Sequence, residues 1–367
     1  MFYRHGARVL TPYSEWNISD PYLVTETLVE TGSGWNRSVP TLEMVAALAG
    51  VSRATVSRVV NASPKVHPDI RDAVNAAIAT LNYVPNRAAR SLVNRRSQAV
   101  ALVVPESTAK VFADPFFASV VQGIALSLAE TDFTLNMIIA SESRSEKTRR
   151  YLLGGNIDGA IVVSHHSGDH SYAHLGRTLP VVFGGRPLTN EDESYYVDVD
   201  NVAGAAGATR HLLGLGRRNI ATIAGPQDMP AGVDRLNGWR NTLQAADLDD
   251  SLVEIGDFTP DSGTAAMRRL FDRGLPIDAL FAANDQMAAG AYAAIRERGL
   301  RIPEDIAVVG FDDDYFGATA TPALTTVHQP AVLMGATIAE VLVNLIEGKP
   351  AERVTRLSTE LVVRDSA

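Results

Sequence analysis

Residues 41–61 read TLEMVAALAGVSRATVSRVVN, and their spacing predicts two short helices separated by a tight turn. Thr41 and Ser52 each precede an amphipathic stretch, as a capping residue does, so we expect a helix to begin after each of them. Gly50 stands where the first helix must stop, because glycine readily adopts the left-handed conformation that ends a helix. Two short helices joined at a glycine-containing turn form a helix-turn-helix.

The second predicted helix has an apolar stripe on one face and a polar, partly basic set on the other. On the polar face, Arg53 and Arg58 can bind guanine through two hydrogen bonds, and the small Ala54 can approach a thymine methyl. The hydroxyls of Thr55 and Ser57 are better suited to phosphate. The pattern favours DNA binding, although three short alanine-rich helices also occur in all-α domains without that function.

A third helix is predicted from Pro68, and an interruption follows it. Its apolar stripe consists of Ile70, Val74, Ala77, Ile78 and Leu81. The sequence Tyr83-Val-Pro-Asn86 then breaks the helical pattern, and Asn86 can cap a short basic segment that ends at Leu92. A leucine on a basic helix suits insertion between base pairs in the minor groove, but the same side chain could belong to a core.

Charge is distributed unevenly along the 367 residues, whose net charge is −9. Residues 39–97 carry eight Lys and Arg against three acidic residues. A basic block on an acidic chain indicates polyanion binding by that segment. Residues 1–38 show little periodicity and lack the apolar stretch of a secretory signal, so we expect a poorly ordered extension there.

Composition excludes several kinds of protein. The chain has no cysteine, which excludes disulfides and cysteine nucleophiles and suits a reducing cytoplasm. No run approaches the roughly 18 apolar residues that cross a bilayer, so no membrane partner is expected. Walker, Gly-x-Ser-x-Gly and His-Glu-x-x-His motifs do not occur, and we therefore predict that the protein is not an enzyme.

Cofactor and metal sites are not predicted either. Gly214-Leu-Gly216 is followed by Asn219 where a dinucleotide-binding loop needs a third glycine. His166, His170 and His174 have helical spacing, which could align metal ligands, but the intervening Gly168-Asp169 favours a loop.

From Gln98 onward, short apolar runs alternate with helical stretches, which predicts parallel sheets in an α/β fold. The predicted strands are Ala99–Val104, Thr134–Ala140, Gly159–Ser164, Val181–Gly184, Ile220–Gly225, Ala279–Ala283 and Ile306–Gly310. Such sheets bind ligands beyond the carboxyl ends of their strands. The polar residues at those ends include Ser164-His165-His166, Gly185-Arg186-Pro187, Asp200-Asn201, Asn284-Asp285 and Asp312-Asp313.

Three further groups of side chains strengthen this prediction: Asp114 with Phe116 and Phe117, then Arg235, then Phe258. Guanidinium, carboxylate and amide groups hydrogen-bond hydroxyls in pairs, and aromatic faces stack on sugar rings, so a sugar is predicted and a nucleobase-like ligand is second. Loop Asp and Asn also form turns without binding anything. A sugar-transport protein would need an export signal and no basic headpiece, so a regulator is favoured.

Residues 41–61, followed by Leu81-Asn-Tyr-Val-Pro-Asn-Arg-Ala-Ala-Arg-Ser-Leu92, resemble in order and spacing the signature of the LacI/GalR family of repressors. Four further stretches resemble landmarks of that family: Arg235-Leu-Asn-Gly-Trp239, Ala283-Asn-Asp-Gln-Met-Ala288, Val309-Gly-Phe-Asp-Asp313 and Pro322-Ala-Leu-Thr-Thr-Val-His-Gln-Pro330. The resemblance implies an all-α helix-turn-helix headpiece over 39–97 with a hinge helix at 86–93. It also implies an α/β sensor domain over 98–367, with the two lobes of a type I periplasmic-binding-protein fold.

The family resemblance, together with the pattern, assigns residues to two sites. It implies that Arg53 and Ala54 are the main specificity residues and that Ala89 and Leu92 enter the minor groove. The predicted DNA-binding residues are Thr41, Ser52, Arg53, Ala54, Thr55, Ser57, Arg58, Asn61, Tyr83, Asn86, Arg87, Ala89, Arg90 and Leu92. The predicted effector-binding residues are Asp114, Phe116, Phe117, Ser164, His165, Arg186, Arg235, Phe258, Asn284, Asp285 and Asp312.

The resemblance also implies how the two sites communicate. One lobe would comprise 98–197 with 330–345, and the other 198–328 with 346–367. A ligand between the lobes would change their relative angle and thereby the affinity for DNA. We therefore predict a cytoplasmic homodimeric transcriptional repressor that binds near-palindromic double-stranded operator DNA and responds to a small-molecule, carbohydrate effector.

Overall fold

The computed structural model describes residues 40–61, 63–84, 96–139, 145–167, 175–187, 189 and 191–367. The chain divides into two compact units, Met1–Pro85 and Asn86–Ala367, which we call the headpiece and the body. Several predicted features lie outside the described residues: the extension 1–38, the hinge helix 86–93, and the DNA-binding residues Asn86, Arg87, Ala89, Arg90 and Leu92.

Among its described residues the headpiece contains three helices, which begin where the sequence predicts: α1 (Leu42–Ala49), α2 (Arg53–Val60) and α3 (Pro68–Leu81). Thr41 caps α1 by accepting a hydrogen bond from the Met44 amide at 3.4 Å. Ser52 caps α2 by accepting one from the Thr55 amide at 3.1 Å. Gly50 ends α1 at a φ of 66°. These contacts confirm the predicted helix-turn-helix.

One apolar side chain from each helix meets at the centre of the headpiece. Val45, Val56 and Val74 are each fully buried. Ile70, by contrast, is 38% exposed, so its predicted place in the buried stripe is wrong. It lies in the first turn of α3, whereas the core meets the helix further along, at Val74 and Ala77.

The body contains two six-stranded sheets surrounded by helices. The strands are β1 (Ala99–Val104), β2 (Thr134–Ile139), β3 (Gly159–Val163), β4 (Val181–Gly184), β5 (Tyr195–Val199), β6 (Ile220–Ala224), β7 (Val253–Ile255), β8 (Ala279–Ala282), β9 (Ala307–Asp312), β10 (Thr325–His328), β11 (Val354–Leu357) and β12 (Glu360–Val362). The helices are α4 (Thr108–Ala113), α5 (Pro115–Ala129), α6 (Ser145–Leu153), α7 (Asn201–Gly214), α8 (Pro230–Gln244), α9 (Pro260–Asp272), α10 (Asp285–Glu297), α11 (Tyr315–Thr319) and α12 (Ala331–Glu347).

The first sheet has the order β11-β5-β4-β3-β1-β2, and the second has the order β12-β10-β9-β8-β6-β7. Every strand pair is parallel except β10 with β12. The strands β1, β3, β4, β6 and β8 are buried along their whole length, as expected for parallel strands with helices on both faces. The predicted α/β architecture is therefore confirmed.

The chain passes between the two sheets three times, after β5, after β10 and after β11. This path differs from the predicted lobe boundaries at one place. β11 pairs with β5 in the first sheet, so the segment that leads to residue 357 belongs to the first lobe, whereas the prediction assigned 346–367 to the second. Only β12 and the residues after it join the second sheet. Within the described part of the chain, no helix is both long and apolar enough to cross a membrane.

Candidate nucleic-acid interface and effector cleft

The outer face of α2 carries the side chains that were predicted to read DNA. Arg53, Ala54 and Arg58 are exposed, as is Asn61 at the end of the helix, while Ser57 is half-buried. The Asn61 amide donates a hydrogen bond to the Ser57 hydroxyl at 3.4 Å. The arrangement leaves two guanidinium groups and one methyl group on a surface narrow enough for the major groove.

Two of the predicted DNA-binding hydroxyls already serve the helices. The Ser52 hydroxyl, which caps α2 by accepting from the Thr55 backbone amide, also lies 2.9 Å from the Thr55 hydroxyl. Thr41 and Ser52 therefore hold the amino-terminal ends of α1 and α2, where free backbone N–H groups attract phosphate.

Tyr83 is the one described residue of the DNA-binding prediction that the structure does not place on the surface. Its side chain is only 7% exposed and packs in the headpiece core. Since an aromatic ring that follows a helix can close a small core, the structure gives Tyr83 a packing role.

A cleft lies in the body, at the carboxyl ends of strands from both sheets, and encloses about 700 Å³ of empty space, which includes its opening to solvent. Ten of the eleven side chains predicted for the effector site line it: Asp114, Phe116, Phe117, Ser164, His165, Arg186, Arg235, Phe258, Asn284 and Asp312.

Arg235, in the second turn of α8, is the most extensively bonded of these side chains. Its guanidinium donates to Asn201 Oδ1 at 2.9 Å, to the Ala283 carbonyl at 2.6 Å and to Gln329 Oε1 at 2.6 Å. A further bond reaches Asp312 Oδ1 at 3.2 Å. Burial lowers the pKa of Arg235 from its ordinary value, and the Asp312 carboxylate opposes that shift.

The Arg235 guanidinium also stacks 3.6 Å from the centre of the Phe311 ring, an arrangement that Arg favours because it is planar. Its bonding partners come from the start of α7, the end of β8, the end of β9 and the segment after β10. Arg235 therefore ties several parts of the cleft floor together.

Burial raises the pKa values of three carboxyl groups that line the cleft, those of Asp312, Asp114 and Asp198. Burial raises the pKa of Asp312 to about 8, against the opposing effect of Arg235, and the nearby Asp114 and Asp314 carboxylates raise it further. Burial likewise raises the pKa of Asp114 to about 6. A protonated carboxyl group can donate a hydrogen bond as well as accept one, which suits ligand hydroxyls.

Aromatic rings form the apolar part of the cleft. Phe116 and Phe117 meet edge to face, with ring centroids 5.6 Å apart. Phe258, on the opposite lobe, has a φ of 71°, and its carbonyl accepts a hydrogen bond from the Asn284 amide at 3.1 Å. The side-chain oxygen of Asn284, Oδ1, caps α10 by accepting a hydrogen bond from the Met287 backbone amide at 2.8 Å. Asn284 thus fixes Phe258 and the start of α10 at once.

The rim of the cleft on one side is a chain of polar contacts around Glu106. Its Oε1 accepts hydrogen bonds from Lys110 Nζ and Ser164 Oγ, both at 2.8 Å. His166 lies between Glu106 and Asp228, with Nε2 3.1 Å from the former and Nδ1 2.8 Å from the latter. The hydrogen bond with Glu106 raises the pKa of His166 to about 9. His166 is therefore charged at neutral pH and joins the two lobes.

Arg186 joins the lobes at another edge of the cleft. Its Nη2 lies 2.9 Å from both carboxylate oxygens of Asp234 in α8. Its Nη1 reaches Glu191 at 3.3 Å, and its backbone amide donates to Asp198 at 3.0 Å. Next to it, His165 Nε2 lies 3.2 Å from the Arg186 carbonyl.

Asp285 is the one predicted effector residue that the structure keeps out of the cleft. It is fully buried beneath the cleft floor. One of its oxygens accepts from Thr326 Oγ1 at 2.5 Å, and the other accepts from the Asp314 amide at 2.9 Å. Asn284 precedes α10, whereas Asp285 is the first residue of that helix, and its side chain points into the protein. Its role is to hold β9, β10 and the Asp314 turn together.

Several cleft residues were absent from the predicted site: Lys110, Asp198, Asn201, Met229, Gln329 and Met334. Asp198 belongs to β5, and Gln329 follows β10, two strands that the apolar runs did not reveal. The rule that ligands bind beyond strand ends finds Gln329 once β10 is known, whereas Asp198 lies within its strand and the rule does not reach it. Asn201 is among the polar residues that follow strands in the sequence, but the prediction does not assign it to the site.

A metal site finds no support in the described residues, because they contain no group of three or more His, Asp or Glu side chains that could hold a metal ion. His170 and His174 of the histidine-rich stretch lie outside the described residues. His165 instead packs edge to face on Phe183, with ring centroids 5.2 Å apart.

A helix-turn-helix headpiece joined to a two-lobed body with a ligand-sized cleft defines a ligand-responsive DNA-binding regulator. Residues 41–86 match the sequence profile described as "Bacterial regulatory proteins, lacI family", and residues 209–367 match the profile "Periplasmic binding protein-like domain". The chain belongs to the lacI family of transcriptional regulators.

Individual relatives agree with this family. The chain is 50% identical over 336 residues to the HTH-type transcriptional regulator CelR of Thermobifida fusca, an alignment that covers 90% of this chain and 99% of that protein. It is 34% identical over 312 residues to the ribose operon repressor of Escherichia coli K12, with 83% and 93% covered.

Solved structures show the same similarity. A transcriptional regulator CelR–cellobiose complex has a TM-score of 0.72 at 47% identity and covers 89% of this chain and 100% of its own. The lac repressor dimer bound to operator and the anti-inducer ONPF has a TM-score of 0.80 at 29% identity, with 89% and 98% covered.

Proposed function

We propose that this regulator is a homodimeric repressor, not an enzyme, which acts on a near-palindromic operator in the cytoplasm and is controlled by a neutral carbohydrate. We further propose that the effector is a disaccharide of the cellobiose type. The observation that carries the proposal is the lining of the cleft, where aromatic faces lie beside carboxyl, amide and guanidinium groups.

The pairing of the cations favours a neutral ligand. Two of the three cationic side chains of the cleft lining contact carboxylates, Arg186 with Asp234 and Lys110 with Glu106. The third, Arg235, already donates hydrogen bonds to Asn201, Ala283, Gln329 and Asp312. An anionic ligand such as a sugar phosphate would have to displace one of these partners. Sugar hydroxyls, in contrast, can insert among such groups as both donors and acceptors.

Aromatic rings on opposite walls favour a ligand with extended apolar ring faces. Phe116 and Phe117 belong to α5 in the first lobe, and Phe258 belongs to the second lobe. A β-linked glucose pair exposes flat C–H faces to such rings and hydroxyls at its edges. The similarity to a CelR–cellobiose complex at 47% identity supports the same ligand class.

Differential binding to two lobe arrangements would couple ligand to DNA. A ligand that contacts both lobes stabilises the arrangement in which both sets of contacts are made. Residues 86–93, which follow the headpiece directly in the sequence, are the proposed hinge helix that transmits this change. A dimer would place two identical copies of α2 on successive turns of the duplex, which accounts for the proposed palindrome.

The proposal is tested by fluorescence anisotropy with the full chain and DNA from the region upstream of its own gene. Cellobiose, maltose, ribose and a sugar phosphate are titrated separately. We expect tight, salt-sensitive binding that cellobiose alters and the sugar phosphate does not. Operator binding that no neutral sugar affects would refute the effector class, and absence of specific DNA binding would refute the regulator itself.

An Arg235→Lys variant tests whether the sugar acts through the cleft. It keeps a positive charge next to Asp312 but loses the planar group that joins Asn201, Ala283 and Gln329. We expect it to bind operator as the wild type does and to lose most of the sugar response. An unchanged dose-response curve would remove Arg235 from the effector site.

A further inference from the structure

A second cavity adjoins the effector cleft and shares part of its wall. This side chamber encloses about 630 Å³ of space open to solvent. It is lined mainly by Arg186, Glu191, Asp198, Asp200, Asp234 and Arg356. Arg186, Asp198, Val199 and Asn201 line both the chamber and the cleft, so the two spaces are adjacent.

The Arg186–Asp234 ion pair is the part of this wall that the two lobes form together. Arg186 follows β4 in the first lobe and Asp234 lies in α8 of the second, and their side chains meet with both N–O distances at 2.9 Å. Asp234 lines only the chamber, whereas its neighbour Arg235 lines only the cleft. The side chains of Arg186 and Asp234 are 22% and 17% exposed, so opening the pair does not leave a fully buried charge without a partner.

The charges of the chamber indicate what it can accept. Two guanidinium groups, of Arg186 and Arg356, face the four carboxyl groups of Glu191, Asp198, Asp200 and Asp234. This excess of carboxyl groups disfavours phosphate or uronate. It offers many acceptors and some donors to a neutral group with several hydroxyls.

We propose that the side chamber is an additional sugar subsite and that the Arg186–Asp234 pair, when closed, limits the effector to the length that the cleft holds. The chamber takes the next neutral hexose unit of a longer oligosaccharide when the pair opens. This inference rests on the proposed carbohydrate effector. It makes Arg186 and Asp234 determinants of chain-length specificity.

The test compares the affinities of cellobiose and cellotriose for the full chain by calorimetry, without DNA. Asp234→Ala removes the closing carboxylate, so we expect the ratio of cellotriose to cellobiose affinity to rise about tenfold over that of the wild type. Val202→Trp acts in the opposite direction. Val202 lines only the chamber and is 38% exposed, so a Trp there fills the chamber and leaves the cleft unchanged.

We expect Val202→Trp to retain cellobiose affinity and the double variant to lose the gain of Asp234→Ala. An unchanged affinity ratio in Asp234→Ala, or a gain that survives Val202→Trp, overturns the subsite while the carbohydrate effector stands. Failure of the wild type to bind either sugar overturns both proposals. Thermal unfolding of each variant establishes that it is folded. If Asp234→Ala does not fold, Val202→Trp alone tests the chamber, because it should lower the affinity for cellotriose and leave that for cellobiose unchanged.

Discussion

Arg53 is the residue at which base discrimination can be tested most directly. Its side chain is 73% exposed, and its Nε lies 3.1 Å from Glu43 Oε1. Exposed ion pairs of this kind contribute only about 0–1 kcal/mol, so guanine can replace Glu43 as the partner. The guanidinium is therefore available for DNA although it is paired in the free headpiece.

We expect Arg53→Lys to lower operator affinity by about 1–3 kcal/mol because lysine lacks the two-pronged donor that reads guanine. Affinity for scrambled DNA should remain close to that of the wild type, since the charge is retained. Anisotropy titrations on operator and scrambled duplexes measure both. Arg53→Ala serves as the comparison: it loses the same guanine contact and also the positive charge, so it should weaken binding to both duplexes. Equal losses on both duplexes for Arg53→Lys would show that Arg53 does not read bases.

Asp114 links stability to pH in a direction opposite to that of a carboxylate whose pKa is lowered by an ion pair. Its pKa is raised to about 6, chiefly by burial, so the folded body retains a proton that the unfolded chain releases above its ordinary pKa of 3.8. Stability is therefore lost as the pH rises from about 4 to about 6, and the loss is then constant. Asn can keep the cap on the Phe116 amide without titrating.

We accordingly expect Asp114→Asn to gain stability relative to the wild type between pH 4 and pH 6, by about 1–3 kcal/mol in total. Calorimetric melting of the body across this range measures the difference. Asp305→Asn is the control, because the hydrogen bond from Arg301 lowers the pKa of Asp305 to about 2. The difference in unfolding free energy between Asp305→Asn and the wild type should not change between pH 5 and pH 7. A flat Asp114→Asn profile would contradict the assignment.

At the scale of elements, the first lobe depends on close contact between α5 and α12. Gly123 in α5 and Gly335 in α12 face the opposite helix at points where a side chain has no room. A Cβ on Gly335 would lie 2.1 Å from the Val120 carbonyl oxygen, and one on Gly123 would lie 1.9 Å from that of Val332. The obstacles are backbone atoms, which cannot rotate away.

Gly335→Ala should therefore destabilise the body by about 1–3 kcal/mol or more, because α12 must shift away from α5. Chemical denaturation monitored by circular dichroism measures the change. Gly207→Ala in α7 is the matched control, since its Cβ would contact only the end of the Arg210 side chain at 4.0 Å. It should be neutral or stabilise the protein by up to about 1 kcal/mol, the helix propensity gained. Similar losses in both variants would show that packing is not the cause.

At the scale of the whole body, the lobes are joined next to the cleft by contacts that a ligand need not touch. His166 of the first lobe binds Asp228 of the second, and the Ser167 amide donates to the Asp228 carbonyl at 2.9 Å. The high pKa of His166 keeps the side-chain contact charge-assisted at neutral pH. This contact stabilises the lobe arrangement of this structure independently of the effector, and we expect that arrangement to be the closed, effector-binding one.

Asp228→Asn should raise the effector concentration for half-maximal response about three- to tenfold, because less of the protein occupies the closed arrangement. The maximal response should persist, since no residue assigned to the ligand is changed. Operator binding titrated with effector measures both quantities. Asp272→Asn removes an exposed ion pair with Arg298 within one lobe and should leave the curve unchanged. A lower plateau without a shifted midpoint would contradict the role of Asp228 in closure.

Local chemistry accounts for the parts of the fold that could be predicted. The caps at Thr41 and Ser52 and the stop at Gly50 involve residues no more than a few positions apart, so their geometry follows from short sequences. Fully buried strands such as β1 and β4 are continuous apolar runs, and their bounds agree with the prediction. The polar residues at their ends line the cleft because parallel strands end at the same edge.

Long-range pairing accounts for the rest. The residues of β11 alternate between exposed and half-buried and carry no strong strand pattern, and only pairing with β5 assigns them to the first lobe. Asn284 and Asp285 are adjacent and chemically similar, yet one lines the cleft and the other lies beneath it, because α10 begins between them. The contact of Arg186 with Asp234 joins two lobes and has no local signature. Local hydrogen bonds and apolar runs are encoded in short stretches, whereas which strand edge or opposite charge a side chain meets depends on the packing of the whole body.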